Sequence, residues 1–461
     1  LNGSTSQGDL AWFQTLGEGG DTLPVLDSTH GVVYAQYFCD GKTLTGYYAN
    51  NNDFPETIHN FDKDGFCTFG DHYQPAEQDG EGVYQITNAG QLFWFAALVN
   101  GDTTYAEFDA QDTAAKAVLM KDITIPEGRN WTPIGNYSTS DSLKYTGAFD
   151  GDGHTIQGMV LNNPNSDYQG LVGYLAEDGT IKDLTMGETC SVTGNKYVGG
   201  ICGESNRGTI QNCTNNGTVT GGYAGGSGTG GVCGYSYYGS IDTCTNNGAV
   251  TGSGDDVGGI CGYSSYGFIY VCTNSGTVTG SGDAVGGITG YSIFCPLTGC
   301  TNSGTVTGND RVGGVCGYNY DQTLSDYPIS GCTNSGTVTG NNDVGGVCGY
   351  NSGTFTECIN NGDVTSSGDN VGGVCGYNSG TFTDCTNSGT VTGNNYVGGV
   401  CGYNESGTLS SCTHNGNVTG NSDYVGGVCG YNSGTLENST NEGNVKGYSD
   451  NVGGICGYSQ G

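Results

Sequence analysis

From about Gln169 onward, short apolar runs and polar turns alternate on a fixed beat. The copy from Val371 to Gly393 reads VGGVCGYNSGTFTDCTNSGTVTG. Three of its runs, VGGVCGY, TFTDCT and GTVTG, have strand composition, and Asn-Ser-Gly turns at Asn378 and Asn387 separate them. The valine-glycine-glycine start recurs at Val198, Val257, Val285, Val312, Val344, Val371, Val397, Val425 and Val452, with Thr229 in the variant copy. Successive starts are 26 to 32 residues apart. Three short strands per period predict one coil of a parallel β-helix, whereas a WD-type propeller blade needs about 40 residues and four strands. The expected fold is all-β: a right-handed parallel β-helix, or β-solenoid, of about ten coils of roughly 27 residues. Coils about 4.8 Å apart would build a rod of roughly 50 Å. They would also stack like residues over like, in ladders of valine, cysteine, tyrosine, asparagine and threonine.

Each copy carries two cysteines, and the first coil says where they point. It reads GLVGYLAEDGTIKDL, from Gly170 to Leu184, with Val172 at the first cysteine position and Leu184 at the second. Both cysteines give way together to apolar residues, so both positions face inward and toward each other. The expected pairs are Cys202 with Cys213, Cys233 with Cys244, Cys261 with Cys272, Cys316 with Cys332, Cys348 with Cys358, Cys375 with Cys385, and Cys401 with Cys412. In the coil at Val285, Thr289 replaces the first cysteine and Cys295 becomes the candidate partner of Cys300. Cys429 faces Ser439 and stands alone, as does Cys456. Staples of this kind would each add about 2–3 kcal/mol; buried free thiols are the other structural option. Val374 and Cys375 are adjacent, and strict strand alternation cannot bury both, so a corner or bulge is expected near the glycines.

Before the regular coils the pattern changes. Residues 83–168 read as an N-terminal cap and irregular first coils, with the strand candidates AVLMKDITI and YTGAFDGDGHTIQGMVL. The segment from Ile86 to Gly101 predicts a short amphipathic helix near 88–100, capped by Asn88. Residues 36–82 read as a small linker module containing Cys39 and Cys67, both carried as disulfide candidates, and residues 1–35 as a closing segment of a preceding or neighbouring repeat array.

Composition narrows the function. Formal charge is −34, from 45 acidic residues against 11 Lys plus Arg, which disfavours nucleic acid as a partner. With 21 cysteines, an oxidising, extracellular setting is expected. No apolar stretch is long enough to cross a membrane as a helix, so no membrane insertion is expected in this segment.

Three outward features carry candidate chemistry. The tyrosines Tyr235, Tyr263, Tyr291, Tyr318, Tyr350, Tyr377, Tyr403, Tyr431 and Tyr458 form a possible ligand ladder, since aromatic columns stack on sugar rings; tyrosine-on-tyrosine packing is the plainer reading. The threonines of GTVTG, such as Thr277, Thr279, Thr305, Thr307, Thr337, Thr339, Thr390 and Thr392, flank an inward valine and resemble an ice-binding face, interrupted by Asp363, Asn417, Asn444 and Lys446. Asp150, Asp152 and His154 invite a catalytic or calcium reading, against that of a simple turn. Asn246, Asn274, Asn302, Asn334 and Asn387 read as an internal hydrogen-bonded turn ladder. No catalytic residue, cofactor or metal site is expected.

These residues carry a family likeness. GLVGYLAEDGTIKDL, the preceding WTPIG (Trp131 to Gly135), FDGDGHTIQGMVL (Phe149 to Leu161) and the VGGVCGY coils resemble GLUG-repeat bacterial surface proteins, which are associated with adhesin and IgA-peptidase-like sequences. The cysteine-bearing version is similar to clostridial ones. The resemblance covers roughly residues 83–461 and implies a right-handed parallel β-helix on a secreted or wall-attached protein. DTLPVLDSTHGVVY (Asp21 to Tyr34) resembles the close of a repeat array, and DGFCTFGDHYQPA a linker that often holds CxxC, with Gly70 here in the second cysteine's place. The sequence opens on Leu1 and closes inside a coil at Gly461, so it is expected either to be part of a longer polypeptide or to complete itself between copies, head to tail. The expected function is a non-enzymatic extracellular scaffold, an adhesin stalk or filament subunit, with copies of itself or host and biofilm glycans and proteins as partners. Glycan binding, ice binding and polysaccharide cleavage are the alternatives.

Overall fold

The computed structural model describes the backbone of two paired strands, Tyr34–Tyr37 and Leu44–Tyr48, and residues 59–137, 143–222, 228–321 and 327–460 in full. Cys39 and most of the 1–35 segment lie outside the described residues. From residue 83 onward the chain winds through about twelve turns of an all-β parallel solenoid. Each repeat makes five short strands rather than the expected three. In the copy at Val371 they are Val371–Gly372, Cys375–Asn378, Thr381–Thr383, Thr386–Asn387 and Val391–Gly393. The corresponding strands of successive coils pair in parallel, in register, giving five sheets of 10 to 14 strands. The stacking is residue on residue: Cys348 over Cys375 over Cys401, and Val364 over Val391 over Val418.

Two hidden corners divide the three expected strands into five. One is left-handed backbone just before the second cysteine, at Asp384 (φ 54°), Glu357 (φ 54°) and Ser411 (φ 54°). The other falls just before the next repeat, at Asn370 (φ 58°), Tyr396 (φ 52°) and Tyr424 (φ 62°). Left-handed residues turn the chain without a long loop, which keeps each coil compact.

The inward side chains fill two compartments. The larger holds Val374, Cys375, Phe382 and Cys385 with their equivalents above and below; the smaller holds the Val371 and Val391 columns. This division accounts for the adjacent burial of Val374 and Cys375. The chain bends at Gly372 and Gly373, so Val371 enters one compartment, while Val374 and Cys375 enter the other. Gly373 must be glycine, because a Cβ there would lie 2.0 Å from Asn387 Nδ2 and 2.2 Å from Gly399 O.

The first turns are larger and meet the helix Ala89–Asn100. Its cap is the expected one: the Asn88 side chain accepts from Gln91 N–H, and Gly101 closes the other end in left-handed backbone (φ 69°). The helix is not amphipathic, however. Every residue from Ala89 to Val99 is buried, because strands pack on one side and the 59–75 and 102–112 segments cover the other. Phe93 meets Trp131 edge-on at 5.1 Å, and Phe95 meets Tyr145 at 6.2 Å. The helix therefore lies where the solenoid core begins.

Candidate functional site

The outstanding feature is the set of one-residue ladders. The first cysteine column runs through Cys202, Cys233, Cys261, Thr289, Cys316, Cys348, Cys375, Cys401 and Cys429. Sγ donates to the carbonyl two residues on, at 3.1 Å from Cys202 to Glu204, 3.2 Å from Cys261 to Tyr263 and 3.1 Å from Cys375 to Tyr377. Thr289, the exception in the column, makes the same bond through its hydroxyl, to Tyr291 O at 3.2 Å. The second column behaves alike. Cys385 donates to Thr383 O and Cys412 to Ser410 O, both at 3.4 Å, and Ser439 repeats the bond to Glu437 O at 3.0 Å. In all but the first regular coil, both positions hold a small side chain with one donor.

The within-coil disulfides expected from Cys202–Cys213 to Cys401–Cys412 are not formed in this structure; the ladder cysteines are thiols. The first cysteine of a coil lies on a strand, as Cys375 does, and the second at the corner between two others, as Cys385 does; each sulfur neighbours the like sulfur one coil away, as in Cys202 with Cys233 and Cys358 with Cys385. Cys295 meets Ser264 Oγ at 2.8 Å rather than Cys300. Burial pushes the Cys202, Cys261 and Cys375 thiols well above their ordinary range. Buried neutral thiols are chemically inert. Cys67 is also buried.

Asparagine builds two further ladders. Nδ2 of Asn215, Asn246, Asn274, Asn302, Asn334 and Asn360 each donates to Oδ1 of the next asparagine at 2.7–2.9 Å, ending on Asn387. This is the turn ladder expected from the sequence. Asn319, Asn351, Asn378, Asn404 and Asn432 form a second, at 2.7–3.0 Å. His414 takes an asparagine's place in the first ladder. Its Nδ1 lies 2.9 Å from Asn387 Nδ2, and its buried Nε2 has no partner. Burial lowers its pKa to about 4.

The tyrosines form the expected column. Tyr235 and Tyr263 stack at 4.9 Å and 8°, Tyr350 and Tyr377 at 4.7 Å and 7°, and Tyr403 and Tyr431 at 4.8 Å and 6°. Only the step from Tyr318 to Tyr350 is edge-on, at 75°. Ring faces are thus covered by other tyrosines, and edges and hydroxyls remain at the surface. The threonine of VTG stacks without a break from Thr193 through Thr220, Thr251, Thr279, Thr307, Thr339, Thr365 and Thr392 to Thr419, and Lys446 follows.

Asp150, Asp152 and His154 form a turn. Asp150 Oδ1 accepts from Asp152 N–H at 2.9 Å, and Asp152 is left-handed (φ 47°). Asp150 is paired with Lys182 at 2.6 Å and His154 with Asp122 at 3.3 Å, so the three do not converge on one point. The sequence reading missed two buried carboxyls whose pKa is raised. Glu204, in the tyrosine column, and Asp256, at a left-handed corner, are 7% and 6% exposed. Burial raises each pKa to about 7, with Asp255 and Asp283 adding to the effect at Asp256. The signal for Glu204 was its departure from tyrosine at that position.

Fold and ladders together define a class: a parallel β-solenoid whose core is assembled from single-residue columns. The chain carries GLUG motif repeats, with matches to that family's model at residues 188–220, 367–392 and 421–446. A stretch of 211 residues is 34% identical to halomucin of Haloquadratum walsbyi, covering 45% of this chain and 2% of halomucin. A stretch of 100 residues is 30% identical to a protein assigned as a Gly-rich membrane protein in Evansella cellulosilytica, covering 20% of this chain and 11% of that protein. The chain therefore spans only a small fraction of either relative. Among solved structures, a protein assigned as an immunoglobulin A1 protease from Bacteroides ovatus matches 68% of this chain and 91% of its own, with a TM-score of 0.46 and 19% identity.

Proposed function

We propose that this chain is a rigid, non-enzymatic rod segment of an extracellular or cell-surface scaffold, serving as a stalk or as a filament subunit. The observation that carries this reading is the filled interior. Coil after coil, the inward positions are occupied by the chain's own valine, cysteine and asparagine ladders, and the regularity serves length and stiffness rather than a pocket. The partial likeness to halomucin and to a Gly-rich membrane protein supports a place at the cell surface. The covered ring faces support packing, rather than sugar stacking, as the role of the tyrosine column. Negative-stain electron microscopy of the full chain tests the proposal: a straight rod of roughly 60 Å for twelve turns is expected, and a compact or variably bent particle would overturn it. A glycan array comparing the protein with its Tyr350→Ala and Tyr377→Ala variants tests the binding alternative; signal that those changes abolish would make the chain a binding module.

A second reading rests on the unbroken Thr193-to-Thr419 column, a flat row of hydroxyls and methyls at even spacing. Thermal hysteresis in the purified protein is its test, and its absence rejects ice binding.

A further inference from the structure

Outside the solenoid, three side chains that are far apart in sequence converge beside the helix. One ring nitrogen each from His59 and His72 and a carboxylate oxygen from Glu107 lie within 4.8 Å of one another. His59 Nε2 is 3.3 Å from Glu107 Oε1. That is about the edge of a tetrahedron whose centre lies 2.0–2.1 Å from each corner, the bond length of zinc to nitrogen or oxygen.

The backbone holds the three in place. Antiparallel bridges join Phe61 to Cys67 and Phe66 to Tyr73, folding His59 back toward His72. Cys67 N–H donates to His72 O at 2.9 Å, and Tyr73 N–H to Tyr105 O at 2.8 Å, which brings the 105–107 strip alongside. Glu107 is then fixed by its own carbonyl, which accepts from Trp94 Nε1 on the helix at 2.9 Å. The two imidazole rings sit 4.6 Å apart between centroids.

The rings are also chemically incomplete. Nδ1 of His59 and Nδ1 of His72 are both buried, and neither has a hydrogen-bond partner among the described residues. A buried polar atom left unpaired costs about 1–3 kcal/mol, and each ring carries one. Neutral imidazoles with a carboxylate form a ligand set for divalent first-row transition ions.

We propose that His59, His72 and Glu107 bind one divalent transition-metal ion, zinc foremost, which clips the 59–73 and 102–112 segments together over the helix. Water completes the coordination. The site lay beyond sequence reasoning because its ligands sit at positions 59, 72 and 107, with no motif spacing, and their convergence depends on tertiary hydrogen bonds.

The test uses the full chain, freed of metal with EDTA and kept in millimolar magnesium so that the acidic surface is occupied. Zinc is titrated calorimetrically, and cobalt(II) substitution is followed by its visible absorption. One ion per chain with micromolar or tighter affinity is expected, together with a tetrahedral cobalt spectrum. Glu107→Gln, at an exposed position, and His72→Asn each weaken zinc at least about tenfold, whereas His154→Asn, at the separate His154–Asp122 pair, leaves it unchanged. Far-UV circular dichroism shows that each variant keeps its β signature. Absence of zinc uptake, or uptake that survives both Glu107→Gln and His72→Asn, overturns the proposal and leaves two histidine rings packed at a tilt.

Discussion

Replacing His414 by asparagine should stabilise the rod, and more so in acid. His414 is fully buried in an asparagine ladder and leaves Nε2 unpaired. Removing an orphaned buried polar atom recovers about 1–3 kcal/mol. An asparagine would instead receive the bond from Asn387 and pass one on to Asn441, as the other rungs do. The pH term adds to this. In the folded chain the imidazole stays neutral down to about pH 4, whereas unfolded it protonates below about 6.5. Between those values the unfolded state binds a proton that the folded state does not, so stability falls as pH falls through that window. The 2.5-unit gap corresponds to about 3 kcal/mol at its lower end. Long repeat arrays need not unfold in one step, so the readout should be local. Native-state hydrogen exchange of amides in coils 397–441, compared between the protein and His414→Asn at pH 7.5 and at pH 5, isolates the contribution. Greater protection in the variant, with a gap that widens toward pH 5, is expected. Equal protection at both values would refute the reasoning.

Glu204 should act in the opposite sense. Its folded pKa of about 7 lies above the carboxylate's ordinary value, so stability falls as pH rises from about 4.5 to 7. Glu204→Gln should recover on the order of 3 kcal/mol above pH 7, and melting curves at pH 5 and 8 check this. The donor role of the cysteine columns predicts that Cys375→Ser costs less than about 1 kcal/mol, whereas Cys375→Ala, which leaves a cavity and an unpaired carbonyl, costs about 2 kcal/mol or more; chemical denaturation ranks them, and equal costs would deny the hydrogen bond a role. Alkylation of the denatured protein without reductant should label the ladder cysteines, whereas within-coil disulfides would remove two sites per coil. Gly373→Ala forces a Cβ to within 2.2 Å of Gly399 O; it should cost about 3 kcal/mol, and wild-type stability would disprove the close approach.

The solenoid, its ladders and the Asn88-capped helix were legible because a repeated sequence reports its own geometry. A position that keeps valine or cysteine from copy to copy, as those of Val391 and Cys375 do, is inward, and one that changes freely, as that of Asp384 does, is outward or at a corner. The five-strand division was not legible, since Asp384, Glu357 and Ser411 hold left-handed corners that no turn motif announces. Only Gly299 (φ 63°) and Gly331 (φ 59°), which take the same place in two coils, hinted at them. The inward direction of both cysteines was read correctly from Val172 and Leu184. Their mutual pairing was inferred from that joint replacement, which does not fix which sulfur is nearest. Thr289 and Ser439 held the better clue, because both keep a donor.

The asparagine ladders give the rod a direction. Every amide in both columns donates toward the following coil and accepts from the preceding one, so their dipoles add along the axis instead of cancelling. Chains of hydrogen bonds polarise one another, and the sum resembles the dipole of a helix, with positive N–H groups facing the C-terminal side. A stack of such coils is thus electrically polar, and its columns propagate only when the carbonyl side of one segment meets the N–H side of another.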